Sequence, residues 1–177
     1  MSLTITVDYK ELEDFAESLG AAPEIAHQEM AKAMYAALTL MEARVVDKTP
    51  VNTGALRSSI YVAMRGTPPN LWGEVATGIS YGEPVEYGRK AKKKPPPIDA
   101  IQMWVVRKGI TGTYQTKSGK TRTMTDRQMA FLIARAIGKR GTKPGAKMFQ
   151  KTFEGSRGEV RRILDRIPEQ IVRRLAK

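Results

Sequence analysis

The 177-residue sequence predicts an α+β fold, a small antiparallel sheet packed against a long N-terminal helix and several later helices. Three features predict it. The run from Glu24 to Thr49 contains no Gly or Pro and keeps its apolar residues at helical spacing. Residues 57–65 and 71–79 alternate at period two on either side of a Pro/Gly break, as two antiparallel strands would. Beyond residue 97 the apolar residues keep helical spacing in three further stretches, opening at Ile98, after Thr125 and at Phe149.

Taken in order, Leu3, Ile5, Val7 and Tyr9 alternate as a half-buried strand. Asp8 and Glu11 form a capping-box pattern ahead of Leu12, Phe15, Ala16 and Leu19, a short helix that Gly20 stops. Pro23 suits the first turn of the long helix. Ala26, Met30, Ala33, Ala37, Leu40 and Arg44 form one stripe along it, and Met34, Leu38, Met41 and Val45 a second. The alanines keep one side thin, so a sheet or helix can approach closely. His27, the single histidine, reads as a surface or cap residue. Thr49–Leu56 is a turn-rich link. Residues 57–65 then alternate Ser58, Ile60, Val62 and Met64, and residues 71–79 alternate Leu71, Gly73, Val75, Thr77 and Ile79; a sheet of three to five strands is expected.

YGEPVEYG (Tyr81–Gly88) reads as the turn leaving this hairpin, with Gly82 and Gly88 supplying unusual backbone angles. RKAKKKPPP (Arg89–Pro97) is basic, proline-fixed and exposed. Ile98, Ile101 and Val105 line a helix ended by Gly109, and 110–124 is a loop or an exposed hairpin turning at Ser118-Gly119. Thr125 and Gln128 cap a helix carrying Met129, Leu132, Ile133, Ala136 and Ile137, closed at Gly138. Phe149 and Phe153 start the last helical stretch, which Pro168 kinks or splits. The whole reads as one domain over 1–177, with arms at 89–97 and 110–124 and a helical extension at 156–177.

Charge is unevenly spread. Residues 1–88 carry 6 Lys/Arg and 12 Asp/Glu, a net −6, and residues 89–177 carry 24 and 6, a net +18. Such a split suits an acidic partner (nucleic acid, membrane or an acidic protein face), the acidic part of the chain itself in self-association, or a solvated basic face with no partner. The cations singled out as interface or DNA-facing are Arg89, Lys90, Lys92, Lys93, Lys94, Lys139, Arg140, Lys143, Arg161, Arg162, Arg173 and Arg174.

Chemistry finds little footing. There is no cysteine, and one histidine offers neither a metal site nor a supported base. SGKT (Ser118–Thr121) lacks the glycine that a P-loop needs, since Tyr114 stands there. Glu74, Glu83 and Glu86 are the acidic set a nuclease would draw on, but Glu83 and Glu86 fall in a Gly/Pro-bounded turn. No enzyme activity, cofactor or metal is expected. No apolar run is long enough for a spanning helix, and MSLTITVDYKELEDF lacks the basic and apolar regions of a secretory signal.

Three ordered motifs carry a resemblance. TPVNTGALRSSI (Thr49–Ile60), YGEPVEYG (Tyr81–Gly88) and GTKPGAKMFQKTFE (Gly141–Glu154) together resemble the tail-completion or neck proteins of long-tailed bacteriophages, the minor tail protein Z type among them. The matching positions are Pro50, Thr53, Gly54, Leu56, Ser59 and Ile60; then Tyr81, Val85, Glu86, Tyr87 and Gly88; then Pro144, Gly145 and Phe149. Many members pass quickly from the second motif to the final helix, whereas here a basic proline segment, a helix and the 110–124 loop intervene. The resemblance implies a structural virion protein, made in the host cytoplasm, that forms a six-fold homo-oligomeric ring at the head-proximal end of the tail. It implies neighbouring terminator, tube and head-closure proteins as partners, non-specific contact with genomic DNA, and no membrane. A tail terminator or other tube ring protein, and a basic DNA-binding protein of no sequence preference, are the alternatives.

Overall fold

The structure is a computed structural model that describes residues 2–5 (as backbone), 23–67, 70–92, 94–142 and 144–175. The short helix expected at 11–19, with its capping box, lies outside the described residues. The chain divides into two compact units, residues 1–83 with 147–177 and residues 84–146.

The first unit holds the sheet and the long helix. Strands β1 (Ser2–Ile5), β2 (Ile60–Arg65) and β3 (Trp72–Thr77) form an antiparallel sheet in the order β1-β3-β2. The β2–β3 register runs from Ile60 opposite Thr77 to Arg65 opposite Trp72, and β1 places Leu3 opposite Val75. The expected hairpin is present, and β3 is its inner strand. That position explains why β3 departs from simple alternation, with Glu74 and Ala76 buried as well as Gly73, Val75 and Thr77.

Helix α1 (Pro23–Lys48) spans 26 residues. It buries Ala26, Met30, Met34, Ala37, Leu38, Met41 and Val45, one face of a 3.6-residue repeat. It lies so close to β3 that a Cβ on Gly73 would overlap Leu38, whose Cδ2 is 3.1 Å from that position. The close approach comes from the strand's glycine, which makes room for Leu38 of the second stripe, rather than from the helix's alanines.

The second expected strand starts later than its alternation suggested. Ala55–Ser58 is a single helical turn (α2), and β2 begins at Ile60. Ser58 Oγ donates to the Gly54 and Ala55 carbonyls and Ser59 Oγ to the Leu56 carbonyl. Serines that bond back to the preceding turn favour it over a strand.

Helices α6 (Met148–Leu164) and α7 (Ile167–Leu175) return to this unit and pack on α1. Pro168 splits them as expected, sitting in the first turn of α7 where its missing N–H costs nothing. Phe149, Met148, Ile167 and Ile171 are each at most 2% exposed and complete the core. The helical extension expected from 156 thus begins at Met148 and belongs to the core.

In YGEPVEYG the expected turn is a helix, α3 (Gly82–Tyr87), and the boundary between the units falls within it. Gly88 has the expected positive φ of 78°. Gly82 does not have one; it is small because a Cβ there would stand 2.8 Å from Thr77 Cγ2.

The second unit pairs helices α4 (Ile98–Lys108) and α5 (Asp126–Arg140) and carries a two-stranded ribbon, β4 (Thr113–Gln115) with β5 (Thr121–Thr123). The ribbon is the hairpin alternative for 110–124, and all six of its strand residues are exposed. The capping box is complete: Thr125 Oγ1 accepts from the Gln128 amide and Gln128 Oε1 from the Thr125 amide. Helix α5 does not stop at Gly138. That glycine is buried inside it, and the helix ends at Gly141, whose amide donates to the Ile137 carbonyl.

Candidate functional site

The second and third motifs are joined by a backbone hydrogen bond, and side chains tie the first to the end of β3. In the first, Leu56 and Ile60 are buried, Pro50 and Thr53 are exposed, and Gly54 takes φ 86° before α2. Ser59 and Thr77 share a hydrogen bond of 2.7 Å between their hydroxyls, tying this motif to the end of β3, and Leu56 Cδ1 lies 3.8 Å from the Cβ position of Gly82. The first motif thus packs beneath the start of the second.

The second and third motifs close on each other. The Ala146 amide donates to the Val85 carbonyl at 2.8 Å. A Cβ on Gly145 would fall inside the Glu86 carbonyl and 2.6 Å from the Gly88 nitrogen, so only glycine allows this approach. Glu86 is 1% exposed and has a polar partner, while Tyr81 and Tyr87 present their rings to solvent at 45% and 61%. Pro144 is exposed, and Phe149 sits at the centre of the first unit's core. The corner is a packed joint; among the described residues no three His, Cys, Asp or Glu gather as a metal site would.

Next to this joint two basic runs are held side by side. The Thr142 amide donates to the Arg89 carbonyl at 3.0 Å, and the Arg89 amide donates to Thr142 Oγ1 at 2.7 Å. Arg89 Nη2 also donates to the Lys94 carbonyl at 2.9 Å, curling the segment back on itself. Gly141, at φ 73° and ψ −168°, brings its Cα against residues 89–91: a Cβ there would stand 2.9 Å from the Ala91 nitrogen. Lys90, Lys92 and Lys94 on one run and Lys139 and Arg140 on the other are exposed. Lys93 and Lys143 lie outside the described residues.

The C-terminal arginines lie in the first unit and are engaged within it. Arg174 binds Glu29 at 2.8 Å and Gln28 Oε1 at 3.0 Å, so the end of α7 is clamped to the start of α1. Arg173 pairs with Glu169 at 2.7 Å, Arg161 with Asp165 at 3.8 Å, and Arg162 donates to the Gly158 carbonyl at 3.3 Å.

Sequence reasoning singled out Arg174 as an interface cation and placed Arg44 in an apolar stripe, but it did not single out Glu29 or Glu159 or foresee these clamps. Arg44 on α1 binds Glu159 at 2.5 Å and Ser156 Oγ at 3.1 Å on α6. Thr49 Oγ1 donates to the Val45 carbonyl at 2.6 Å and lies 3.2 Å from Met148 Sδ, fixing the end of α1 on the start of α6. The Lys32 ammonium and then the Arg174 guanidinium hold the Glu29 carboxyl below its ordinary value, against burial, which pushes it up. The Arg44 guanidinium does the same for Glu159. The one available signal was an arginine interrupting an apolar stripe at Arg44.

The two units differ in charge. Residues 84–146 carry 15 Lys/Arg and 3 Asp/Glu, a net +12, while the remainder carries 15 of each and is neutral. The excess of the C-terminal helices is balanced by the acidic N-terminal part of the same unit. The whole excess of the chain therefore resides in the second unit.

Residues 13–88 are similar to the HK97-gp10-like family, described as "Bacteriophage HK97-gp10, putative tail-component". The match takes in the long helix, the hairpin and the first two motifs, and it agrees with the resemblance to tail-completion proteins. It ends at Gly88, a few residues after the second unit begins. No curated protein and no solved structure matches the chain. Among the described residues no helix is long and apolar enough to cross a membrane.

Proposed function

We propose that this protein completes the head-proximal end of a bacteriophage tail, assembling as a six-fold ring that joins tail to head, and that it does so without catalysis. The observation that carries the reading is the family match over residues 13–88, which contains the first two of the three ordered motifs. The joint that the third motif makes with the second supports it, because it gives these residues a structural task.

A ring subunit presents two unlike patches, each meeting the other on its neighbour. Two units of different charge, one neutral and one at +12, offer such unlike surfaces. The partners on either side are the tail tube or terminator below and the head-closure proteins above.

The test is electron microscopy and plaque assay of a phage carrying an in-frame deletion of the gene. Filled heads and unjoined tails, restored to infectious particles by the protein supplied in trans, are expected. Normally joined, infectious particles from the deletion phage would sink the proposal.

A further inference from the structure

We infer that the seam formed by Arg89–Lys94 and Lys139–Arg140 is a binding site for the phosphate backbone of duplex DNA, read without regard to sequence. The first argument is charge balance. The second unit's acidic residues are Glu86, which is buried, Asp99, which pairs with Arg127 at 3.0 Å, and Asp126 in the first turn of α5. With 15 cations and 3 carboxylates, the unit carries a net charge of +12. Such an excess repels itself in the folded state and is relieved when a polyanion binds.

The second argument is placement. The two runs are far apart in sequence, yet the reciprocal bonds between Arg89 and Thr142 and the glycine contact at Gly141 hold them side by side. The side chains of Lys90, Lys92, Lys94, Lys139 and Arg140 are exposed. Several exposed cations gathered on one patch suit a polyanion, which meets them with several phosphates at once, better than a single anion.

Composition decides between DNA and an acidic protein. Protein interfaces are depleted of lysine and have an apolar centre. In this seam the one apolar side chain among residues 89–94 and 139–142 is Ala91. No aromatic ring lies within either run, so the stacking platforms that single strands need are missing from it, and a duplex is the better fit. The inference rests on charge and placement and stands or falls apart from the ring reading.

The experiment is fluorescence anisotropy of the full-length protein with short labelled duplexes of unrelated sequence, over a range of NaCl. Equal affinity for the duplexes is expected, falling about 100-fold or more between about 50 and 200 mM salt if five phosphates are engaged. Lys90→Gln/Lys92→Gln/Lys139→Gln/Arg140→Gln should weaken binding about 100-fold at the low-salt end and flatten the salt slope by about 3 to 4. Lys151→Gln/Arg157→Gln/Arg166→Gln, which removes cations from the other unit, should change affinity by less than about threefold. Gly141→Ala should weaken binding with no charge removed, and the quadruple variant keeps the test open should Gly141→Ala not fold. No binding at low salt, parental affinity in the quadruple variant, or tighter binding of polyglutamate than of duplex would each overturn the inference. Because this assay uses purified protein, its failure leaves the deletion-phage result untouched, and the converse holds.

Discussion

The first unit is held from inside, the second from its backbone edges. In the first, large side chains from α1, α6 and α7 meet in a core where Met30, Met34, Leu38, Phe149 and Ile171 are completely buried, and ion pairs close its rim. In the second, the buried hydrophobic side chains among the described residues are Val105, Ala130 and Ala134, while Met103, Val106, Phe131 and Leu132 are between 44% and 60% exposed. An open groove of about 530 Å³ lies among Ile98, Tyr114, Met124 and Phe131. A unit with so little buried apolar area gains little from the hydrophobic effect, and its uncompensated charge opposes compaction. The difference teaches that packing and family likeness do not coincide: the match takes in α1 and the hairpin but neither α6 nor α7, which complete the same core.

The comparison can be broken most easily at Phe149. Phe149→Ala should destabilise the first unit by about 3–5 kcal/mol, since no neighbour can fill the space of a fully buried ring. Hydrogen exchange should accelerate in α1 and α6 and far less in α4 and α5; equal acceleration everywhere would mean that the units do not differ as described. Gly145→Ala strikes the second unit where it closes. Overlap with the Glu86 carbonyl should cost about 1–3 kcal/mol and expose the Ala146 amide, now bonded to Val85, to rapid exchange.

A smaller effect separates the units by charge alone. Moving from low salt to about 0.5 M NaCl should slow exchange in α4 and α5, as screening relieves the +12 excess, and leave α1 nearly unchanged. Unchanged protection in α4 and α5 would count against self-repulsion. Glu29→Gln, which loosens the clamp to Arg174, should cost the first unit about 1 kcal/mol in a urea titration.

The pH dependence of that clamp has a definite sign. Glu29 and Glu159 are held below the ordinary carboxylate value of 4.5 in the folded protein. Their contribution is therefore complete above about pH 4.5 and is lost as pH falls through the lowered values. Melting curves of the first unit should show an acid limb that Glu29→Gln/Glu159→Gln flattens; an unchanged limb would remove these pairs from the account.

Much of this was legible in the amino acids because the relevant signals are local. The stripe on α1, the Pro/Gly break between β2 and β3, the Thr125–Gln128 box and Pro168 each act within a turn or two of themselves. The errors arose where local and distant forces compete. YGEPVEYG has turn composition, yet Gly82–Tyr87 folds as a helix whose Val85 carbonyl accepts from the distant Ala146 amide. Gly138 looks like a stop, yet burial against a neighbouring surface keeps it helical until Gly141. The candidate site was visible as composition but not as geometry. Nothing in the sequence tells that Arg89 meets Thr142, or that Arg174 returns to Glu29, because each pairing spans more than fifty positions.

The discontinuity of the first unit sets an order of events during synthesis. Its helix α1 and its sheet leave the ribosome early, but Phe149 and Ile171, which fill its centre, come last. Residues 84–146 are one unbroken stretch whose two ends meet at the Val85–Ala146 bond, so they can fold while the remainder is still being translated. Until α6 and α7 emerge, the part of α1 that packs on them stays uncovered. A nascent chain stalled before Met148 therefore exposes a sticky helix and should recruit chaperones, whereas the released chain buries that helix and should not.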